Sequence, residues 1–292
     1  MKILLTGASG FLGKAIVDAH IGEIVSCGRG SKNQINWDLT VQKRDLPICD
    51  MVVHAAGKAH MVPKNVSEAQ AFFDVNVRGT EILLQSLYAA LPRCFVFISS
   101  VAVYGVEEGA KIHENMPLEG KTPYAQSKIQ AEELVNSWGQ TKGVNVVILR
   151  LPLITGTNPP GNLGALYKAI KRGYYFRIGS GQARKSMVGA PDVAALLPTL
   201  LEKNGTYNLT DGRHPPVNEV DTHIAALLGK KVRSIPATFM QVVAKMGDRL
   251  PGFPLNTLRL KKLNAALTFD DSKAQTELSW DPNPALTYLK FK

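Results

Sequence analysis

The 292-residue sequence lacks several features that would assign it to particular classes of protein. Its three cysteines, Cys27, Cys49 and Cys94, are odd in number and lack metal-site spacing, so neither a disulfide framework nor a metal centre is predicted. Apolar runs such as 194–197 fall well short of the ~20 residues that span a bilayer, and the first five residues are too few for a signal peptide. We therefore expect a reduced, cytoplasmic protein without membrane insertion.

Positive charge is the one unusual global property. Lys and Arg number 34 against 24 Asp and Glu, a net charge of +10. The basic residues are scattered, and a solvated surface is favoured for the densest runs, 230–233 and 259–262. No platform of aromatic and basic residues that could stack bases is present, so nucleic-acid binding is not predicted. These patterns leave the basic stretch from Lys230 to Lys262 without a function.

Strand-like and helix-like segments alternate through the first half of the sequence. This alternation predicts an α/β fold with a doubly wound parallel (Rossmann) sheet. Thr122 and Pro123 are typical of the first positions of a helix. The predicted strands are 2–6, 23–27, 49–54, 94–99 and 144–149, and the predicted helices are 11–20, 66–91 and 123–138.

After Arg150 the sequence is richer in proline and in short helices such as 237–245. We expect a smaller, discontinuous α/β substrate domain there, with a strand at 207–209 returning to the main sheet. The predicted dinucleotide-binding domain is 1–155 plus about 187–212, and the predicted substrate domain is 156–186 plus 213–292.

A glycine-rich turn separates the first predicted strand from the first predicted helix. Gly7, Gly10 and Gly13 recur at every third position. Such glycines let the backbone turn tightly and approach a pyrophosphate, while the helix N-terminus offers N–H donors. The spacing differs from the Gly-x-Gly-x-x-Gly of many dehydrogenases, and packing alone could also require glycines here. In this context we predict dinucleotide binding by Gly7, Ser9, Gly10, Phe11, Leu12 and Gly13.

The end of the second predicted strand indicates which nicotinamide cofactor is bound. A carboxylate there would bind the ribose 2′-hydroxyl of NAD, whereas Arg would accept the 2′-phosphate of NADP. Residues 27–32 read Cys-Gly-Arg-Gly-Ser-Lys and contain no acid. Arg29 and Lys32 therefore favour NADP over NAD, the alternative being a basic surface loop.

Tyr124 and Lys128 form a Tyr-x-x-x-Lys motif on one face of a predicted helix. A lysine ammonium is expected to lower the phenol pKa from ~10, so that the tyrosine exchanges a proton with a sugar oxygen while the nicotinamide exchanges a hydride. Tyr167 and Tyr288 are followed by lysines at the same spacing. Only Tyr124 also follows a hydroxyl pair at a strand end, Ser99-Ser100, so its position singles it out.

Taken together, these motifs resemble the extended short-chain dehydrogenases/reductases of the NAD-dependent epimerase/dehydratase type, which act on nucleotide sugars. The resemblance runs in order along nearly the whole chain. The segments that carry it are the glycine turn at 7–13, HAAG at 54–57, DVNVRGT at 74–80, SSVAVYG at 99–105, YAQSK at 124–128, FD at 269–270 and LSWDP at 278–282.

The resemblance implies roles for individual residues. Ser100, Tyr124 and Lys128 would be catalytic. It also implies that helices 66–91 and 123–138 pair in a homodimer, although their apolar faces could equally be buried within one chain. The implied cofactor contacts are Asp38 and Leu39 near the adenine, with Ala55, Ala56, Gly57, Asn76, Tyr124 and Lys128 along the rest of the dinucleotide.

Two further features narrow the expected reaction. In the 4,6-dehydratases an acid follows the catalytic hydroxyl, whereas this chain has Val101 and Ala102, so a dehydratase is disfavoured. Segments 57–62, 161–163 and 184–188 are similar to bacterial 4-keto reductases of UDP-linked 6-deoxy-N-acetylhexosamines in surface-polysaccharide synthesis. The substrate contacts implied are His60, Asn162, Arg184, Lys185 and Arg259, with the cations near the phosphates or uracil. Residues 189–192 depart from the family, which usually carries a His- or Tyr-containing stretch there.

The sequence therefore predicts an NADP-dependent 4-keto reductase of a UDP-linked sugar, with Tyr124 protonating O4. The alternative is a UDP-glucose or UDP-N-acetylglucosamine 4-epimerase, which uses the same residues but retains its cofactor. A cofactor-sensing regulator without turnover is a lesser alternative, because it would not need Ser100, Tyr124 and Lys128 in register.

Overall fold

A seven-stranded parallel sheet forms the centre of the protein in a computed structural model, which describes residues 1–59, 61–249 and 256–292 without the side chains at positions 259 and 263. The strands, in chain order, are β1 (Lys2–Thr6), β2 (Glu23–Gly28), β3 (Ile35–Asn36), β4 (Met51–His54), β5 (Cys94–Ser100), β6 (Gly109–Ile112), β7 (Asn145–Leu151), β8 (Leu153–Thr155), β9 (Phe176–Ile178), β10 (Met187–Gly189), β11 (Gly205–Asn208), β12 (Arg233–Ile235) and β13 (Leu267–Phe269).

Helices cover both faces of this sheet. All the described helices of the chain, in order, are α1 (Phe11–Asp18), α2 (Val66–Phe73), α3 (Gly79–Ser86), α4 (Pro123–Lys142), α5 (Gly161–Arg172), α6 (Ala190–Leu196), α7 (Val217–Leu227), α8 (Ala237–Gly247), α9 (Thr257–Asn264) and α10 (Ser272–Leu278). Short 3-10 turns lie at Val101–Tyr104, Leu197–Leu200 and Ala285–Tyr288, and a π-helical turn lies at Asp74–Arg78.

The strand order across the sheet is β11-β7-β5-β4-β1-β2-β3, and all neighbouring strands are parallel. This order confirms the predicted doubly wound sheet. The chain runs outward in opposite directions from β1 and β4, and such a reversal opens a crevice at the carboxyl ends of the strands. Thr6 and His54 stand side by side at that point.

The core lies in two layers, one on each side of the sheet, because successive strand residues point to opposite faces. Ile3 and Leu5 of β1 join the layer under α1 and α6, whereas Leu4 joins the layer under α3 and α4. Cys27, Cys49 and Cys94 are buried and free.

The second half of the chain adds a smaller α/β lobe. Its strand pairs are β8 with β10, β9 with β12 and β6 with β13, and a third apolar cluster lies among α5, α7 and the C-terminal segment. β11, near the strand predicted at 207–209, does return to the main sheet beside β7. The exact domain boundaries stay predictions. None of the described helices is long and apolar enough to cross a membrane.

The prediction of one continuous helix over 66–91 is wrong, and so is its predicted end. A π-helical turn separates α2 from α3, and α3 stops at Ser86. The turn accommodates Asn76, whose side chain is bonded outside the helix, and π-helical turns are frequent at functional sites. The helix predicted to end at 138 continues to Lys142, where Gly143 in the left-handed conformation ends it.

Candidate active site

The glycine turn after β1 is closely packed. Gly7 has a φ of +76°, and a Cβ there would lie 2.6 Å from the backbone nitrogen of Ala56. A Cβ on Gly13 would lie 2.1 Å from the carbonyl oxygen of Gly7. Packing alone therefore requires glycine at these two positions.

The N-terminus of α1 is open beside the same turn. Ser9 and Gly10 are exposed, and Gly10 supplies no side-chain cap to the helix. The first-turn N–H groups and the positive end of the helix dipole thus suit a diphosphate. The side chain of Leu12 is buried in the core, so only its backbone could contact a ligand. These residues fit the dinucleotide that the sequence predicts.

Arg29 and Lys32 are exposed in the loop that follows β2. Asp38 lies within electrostatic range of Arg29, but its carboxylate already accepts bonds from the N–H and hydroxyl of Thr40, at 2.9 and 2.8 Å. These bonds, chiefly the one from the backbone N–H, lower the pKa of Asp38. Leu39 is buried. The loop therefore presents cations at the place where an NAD-binding carboxylate would stand.

His54, at the end of β4, is a buried residue whose importance the sequence did not reveal. Its Nδ1 lies 2.6 Å from Thr6 Oγ1 and its Nε2 lies 2.9 Å from Thr80 Oγ1. Because Thr80 donates to the Asn76 carbonyl at 2.6 Å, the network assigns the ring proton to Nε2. Burial, with a smaller effect from Lys128, lowers the pKa of His54 to about 3. A neutral imidazole thus links β1, β4 and the π-helical turn.

Asn76 joins the segment after β4 to helix α4 through hydrogen bonds of its side chain. Its Oδ1 accepts a 2.7 Å bond from the Lys58 N–H, and its Nδ2 donates to the Ser127 hydroxyl at 2.9 Å. A Cβ on Gly57 would lie 3.2 Å from Asn76 Oδ1 and 3.4 Å from Lys128 Nζ. Asn76, Gly57 and Lys128, three of the predicted cofactor contacts, therefore converge on one place.

The two hydroxyls at the end of β5 face different partners. Ser99 donates to the buried carboxylate of Glu132. Ser100 accepts the Ala102 N–H at 3.2 Å and is hydrogen-bonded to Tyr124, whose pKa is raised by burial and only partly lowered by this bond. The structure thus places Ser100 and Tyr124 in contact, and Lys128, the third residue that the resemblance implies is catalytic, is bonded to the same strand at Ile98.

Lys128 is 6% exposed and donates a 2.8 Å hydrogen bond from Nζ to the Ile98 carbonyl oxygen. Its Nζ also lies 4.6 Å from the centre of the Phe97 ring. Burial lowers the pKa of Lys128 to about 8, although the nearby Glu132 carboxylate favours the cation. Burial raises the pKa of Tyr124 more than the hydrogen bond with Ser100 lowers it, so the expected lowering is not found.

A buried polar network that the sequence patterns do not reveal lies next to Lys128. Glu132 is 2% exposed and forms an ion pair with Arg150 of β7. Arg150 Nη1 also donates to the Tyr104 hydroxyl at 3.1 Å, and Tyr104 donates to Asn208 Oδ1 at 2.7 Å. The spacing of Glu132, one helical turn after Lys128, was the available signal.

Three of the predicted substrate contacts, Asn162, Arg184 and Lys185, lie in the smaller lobe. Asn162 is exposed in the first turn of α5, and Arg184 is exposed, with Nη1 donating to the His214 carbonyl at 3.1 Å. Lys185 is half-buried, with Nζ donating to the Ala265 carbonyl at 2.7 Å. Within the described ranges, no hydrogen bond joins these three to the Ser100–Tyr124–Lys128 set. His60 and the side chain of Arg259 lie outside the described residues.

At residues 189–192, where the sequence departs from the family it resembles, the C-terminal segment supplies an aromatic ring. A Cβ on Gly189 would lie 2.4 Å from Cδ2 of Tyr288, so the ring covers this glycine. The Tyr288 hydroxyl donates to Asp192 Oδ1 at 2.7 Å, and Asn283 donates to the same oxygen at 3.2 Å. Oδ2 of Asp192 is buried and has no hydrogen-bond partner among the described residues.

Comparison with known proteins identifies relatives of this chain. A family model, the NAD dependent epimerase/dehydratase family, matches residues 3–210. One relative is the N-acetyl-alpha-D-glucosaminyl-diphospho-ditrans,octacis-undecaprenol 4-epimerase of Escherichia coli O157:H7, 25% identical over 94% of this chain and 89% of the relative. Another is the GDP-6-deoxy-D-mannose reductase of Pseudomonas aeruginosa, 30% identical over 75% of this chain and 77% of the relative.

Solved structures share the fold over almost the whole chain. RMD from Pseudomonas aeruginosa, complexed with NADPH, superimposes with a TM-score of 0.73 at 22% identity, covering 99% of this chain and 96% of its own. The UDP-glucose 4-epimerase of Thermus thermophilus, complexed with NAD, superimposes with a TM-score of 0.72 at 22% identity, covering 97% and 94%.

Proposed function

The chain belongs to the NAD dependent epimerase/dehydratase family, and from this premise we propose that it is an NADPH-dependent 4-keto reductase of a nucleotide sugar. The observation that carries the proposal is the convergence of Ser100, Tyr124 and Lys128 at the end of β5. The apolar residues Val101 and Ala102 follow Ser100 in a 3-10 turn. Neither can exchange a proton, which disfavours the elimination step of a dehydratase.

When bound, the reduced nicotinamide supplies the hydride that reduces C4 of the sugar. Tyr124 supplies the accompanying proton to O4, and burial suits it to this task because it raises the pKa and keeps the phenol protonated. Ser100 donates a hydrogen bond to the same oxygen and stabilises the charge that develops on it. Lys128 and Asn76 orient the ribose, since both side chains are already fixed beside Gly57.

The choice of NADPH rests on Arg29, which is exposed after β2 where no carboxylate is available. A guanidinium binds a 2′-phosphate through charge-assisted hydrogen bonds. We expect Arg29→Ser to weaken NADPH binding about 10- to 100-fold and NADH binding by less than about twofold. Fluorescence titration with both cofactors measures this, with Arg172→Ser as a control at a cation outside the loop. An equal loss for both cofactors would remove the basis for NADPH.

The reaction itself is tested with a UDP-linked 4-keto-6-deoxy-N-acetylhexosamine and NADPH. We expect Tyr124→Phe to lower kcat by on the order of 10²–10⁴ while NADPH still binds. Tyr167→Phe, at the other Tyr-x-x-x-Lys spacing in a helix, is the matched control and should retain activity. Unchanged NADPH oxidation by the Tyr124→Phe variant would refute the catalytic assignment.

A 4-epimerase is the second candidate, supported by the resemblance to the Escherichia coli enzyme. Its substrate would be a sugar linked to the diphosphate of UDP or, as in that relative's name, to a diphosphate carried by a polyprenol. An epimerase retains its cofactor and needs no external reductant. Purified protein that contains tightly bound NAD and interconverts two such sugars without added NADPH would therefore replace the reductase proposal.

A further inference from the structure

Helix α8 carries an apolar stripe that the protein leaves exposed. Phe239, Val242 and Met246 are exposed by 59%, 58% and 59%. At about 100° per residue, the three side chains lie within about 60° of one another around the helix. The buried residues of α8, Ala244 and Gly247, lie on another side of it. The stripe is therefore not the face by which α8 packs against the protein.

Helix α9, which packs against α8, adds a further exposed apolar side chain. Leu258, in the first turn of α9, is also 59% exposed. Its neighbour Thr257 is joined to the end of α8, because the Thr257 N–H donates to Asp248 Oδ1 at 2.9 Å. We call Phe239, Val242, Met246 and Leu258 the α8 stripe.

Positive charge is concentrated around this stripe. Residues 230–262 contain eight Lys and Arg and a single acid, Asp248, a surplus of seven of the chain's ten net positive charges. Lys245 follows Val242 by three residues and therefore lies at the edge of the stripe. Lys261 and Lys262 are paired with Glu108 and Glu107.

Other cations of the region are exposed and available. Lys231 and Arg233 lie just before α8, whereas Lys245 lies within it and Arg249 just after it. In the described part of the chain, no ion pair involves any of these four side chains. The dinucleotide crevice uses none of them, so their charge is unassigned by the proposed function.

We propose that the α8 stripe and its surrounding cations dock the protein on an anionic lipid bilayer. An apolar stripe bordered by Lys and Arg is the pattern of helices that lie in the membrane interface, with the apolar side chains among the acyl chains and the cations at the headgroups. A second copy of the chain is a poorer occupant, because a symmetric contact would bring the two positive surfaces together. A nucleic acid would not require the apolar stripe.

The inference goes beyond the proposed function, since docking does not depend on which sugar is reduced or epimerised. It can therefore fail while the proposed reaction stands, and the converse also holds. Docking would place α8 and α9 of the smaller lobe against the membrane surface.

Vesicle sedimentation of the full chain tests the inference. We expect binding to phosphatidylcholine vesicles containing about 30% phosphatidylglycerol, and at least about tenfold weaker partition onto pure phosphatidylcholine, because the anionic headgroups attract the cations. Raising the salt to about 0.5 M should weaken the binding about tenfold, because exposed charges are screened. Equal binding to both vesicles, or none to either, would overturn the inference.

Two sets of variants locate the surface. Replacing Phe239, Val242 and Met246 by Ser, or Lys231, Arg233 and Lys245 by Gln, should each lower partition about tenfold or more. The controls, at positions elsewhere that are at least as exposed, are Ile48, Val66 and Tyr88 to Ser, and the exposed Lys43, Lys121 and Lys168 to Gln.

The controls should bind as the wild type does, and NADPH affinity should be unchanged in all four variants, which shows that each is folded. Equal losses in the test and control sets would mean that general charge or hydrophobicity causes the binding. An oligomer that dissociates when the α8 stripe is substituted, without any vesicle binding, would assign the surface to a second copy instead.

Discussion

Glu132, one helical turn after Lys128 in α4, forms a buried ion pair with Arg150. Arg150 Nη2 lies 2.7 Å from Glu132 Oε2. The pair joins α4, which carries the tyrosine and lysine of the site, to β7 in the sheet. Its remaining atoms are also bonded, since Ser99 donates to Glu132 and Arg150 donates to Tyr104 and to the Glu114 carbonyl. Such complete pairing is what makes a buried ion pair tolerable.

Removing the charge of one member of this ion pair should strongly destabilise the protein. We expect Glu132→Gln to lower the free energy of unfolding by about 3–5 kcal/mol, because the Arg150 charge would stay buried without its partner. The double substitution Glu132→Met with Arg150→Met should lose distinctly less. Urea unfolding measures both, and Glu202→Gln, in the exposed pair with Arg93, is the control with an expected change below about 1 kcal/mol. A double variant less stable than the single one would contradict this interpretation.

The pH dependence of the proposed reaction should follow Lys128. Because burial lowers the pKa of Lys128 to about 8, the cation is present below that pH and is lost above it. We expect kcat/KM for the reductive direction to fall as pH rises through about 8. Glu132→Gln should move this fall to lower pH, since the carboxylate favours the cation, whereas Glu133→Gln, at an exposed neighbour, should not. A profile that stays flat up to pH about 10 would show that the reaction does not depend on the Lys128 cation.

The loss of folding stability at acid pH should depend on the buried His54. Its pKa falls from 6.5 to about 3 on folding, so between these values the unfolded chain binds a proton that the native protein does not. Stability is therefore lost as pH falls from 6.5 toward 3, by about 1.4 kcal/mol per pH unit from this one group. We expect a shallower slope in His54→Gln than in the wild type when denaturant unfolding is repeated at several pH values. His20→Gln, at an exposed histidine, is the matched control, and identical slopes in all three proteins would contradict the assignment.

The close contact between Gly189 and Tyr288 should make the stability effects of substitutions at these two positions non-additive. Gly189→Ala would place a methyl group 2.4 Å from the Tyr288 ring, and we expect a loss of about 1–3 kcal/mol. In Gly189→Ala with Tyr288→Ala the ring contacts are gone and only Asp192 Oδ2, 2.9 Å from the new Cβ, remains close, so the loss should be smaller than the sum of the two single losses. Thermal unfolding of the three variants measures the coupling, with Gly30→Ala as a control where the new Cβ has only ordinary contacts. Additive losses would show that the ring does not press on Gly189.

The main features of the fold follow from local sequence patterns. Short apolar runs alternating with amphipathic segments, and the glycine turn between β1 and α1, identify a doubly wound sheet. Tyr124 and Lys128 could be selected because a helix places residues four apart on one face. Thr122 caps α4 as predicted, because a threonine followed by proline is itself a local signal.

Features that depend on contacts distant in sequence were missed or incomplete. The pairs His54 with Thr80, Glu132 with Arg150 and Gly189 with Tyr288 join segments whose adjacency only packing creates. The π-helical turn at Asn76 replaces ordinary helix because tertiary hydrogen bonds to Lys58 and Ser127 outweigh the local preference.

The amino-acid sequence by itself determined the sheet, the glycine turn and the Tyr-x-x-x-Lys pair, since each depends on residues close together in the chain. Only the tertiary structure decided that Ser100 contacts Tyr124 while Ser99 contacts Glu132, because both partners lie on α4, which packing places against β5. It also decided which apolar side chains of the basic region remain outside. The charge of residues 230–262 is visible in the sequence, but the exposure of Phe239, Val242 and Met246 depends on which face of α8 packs against the protein.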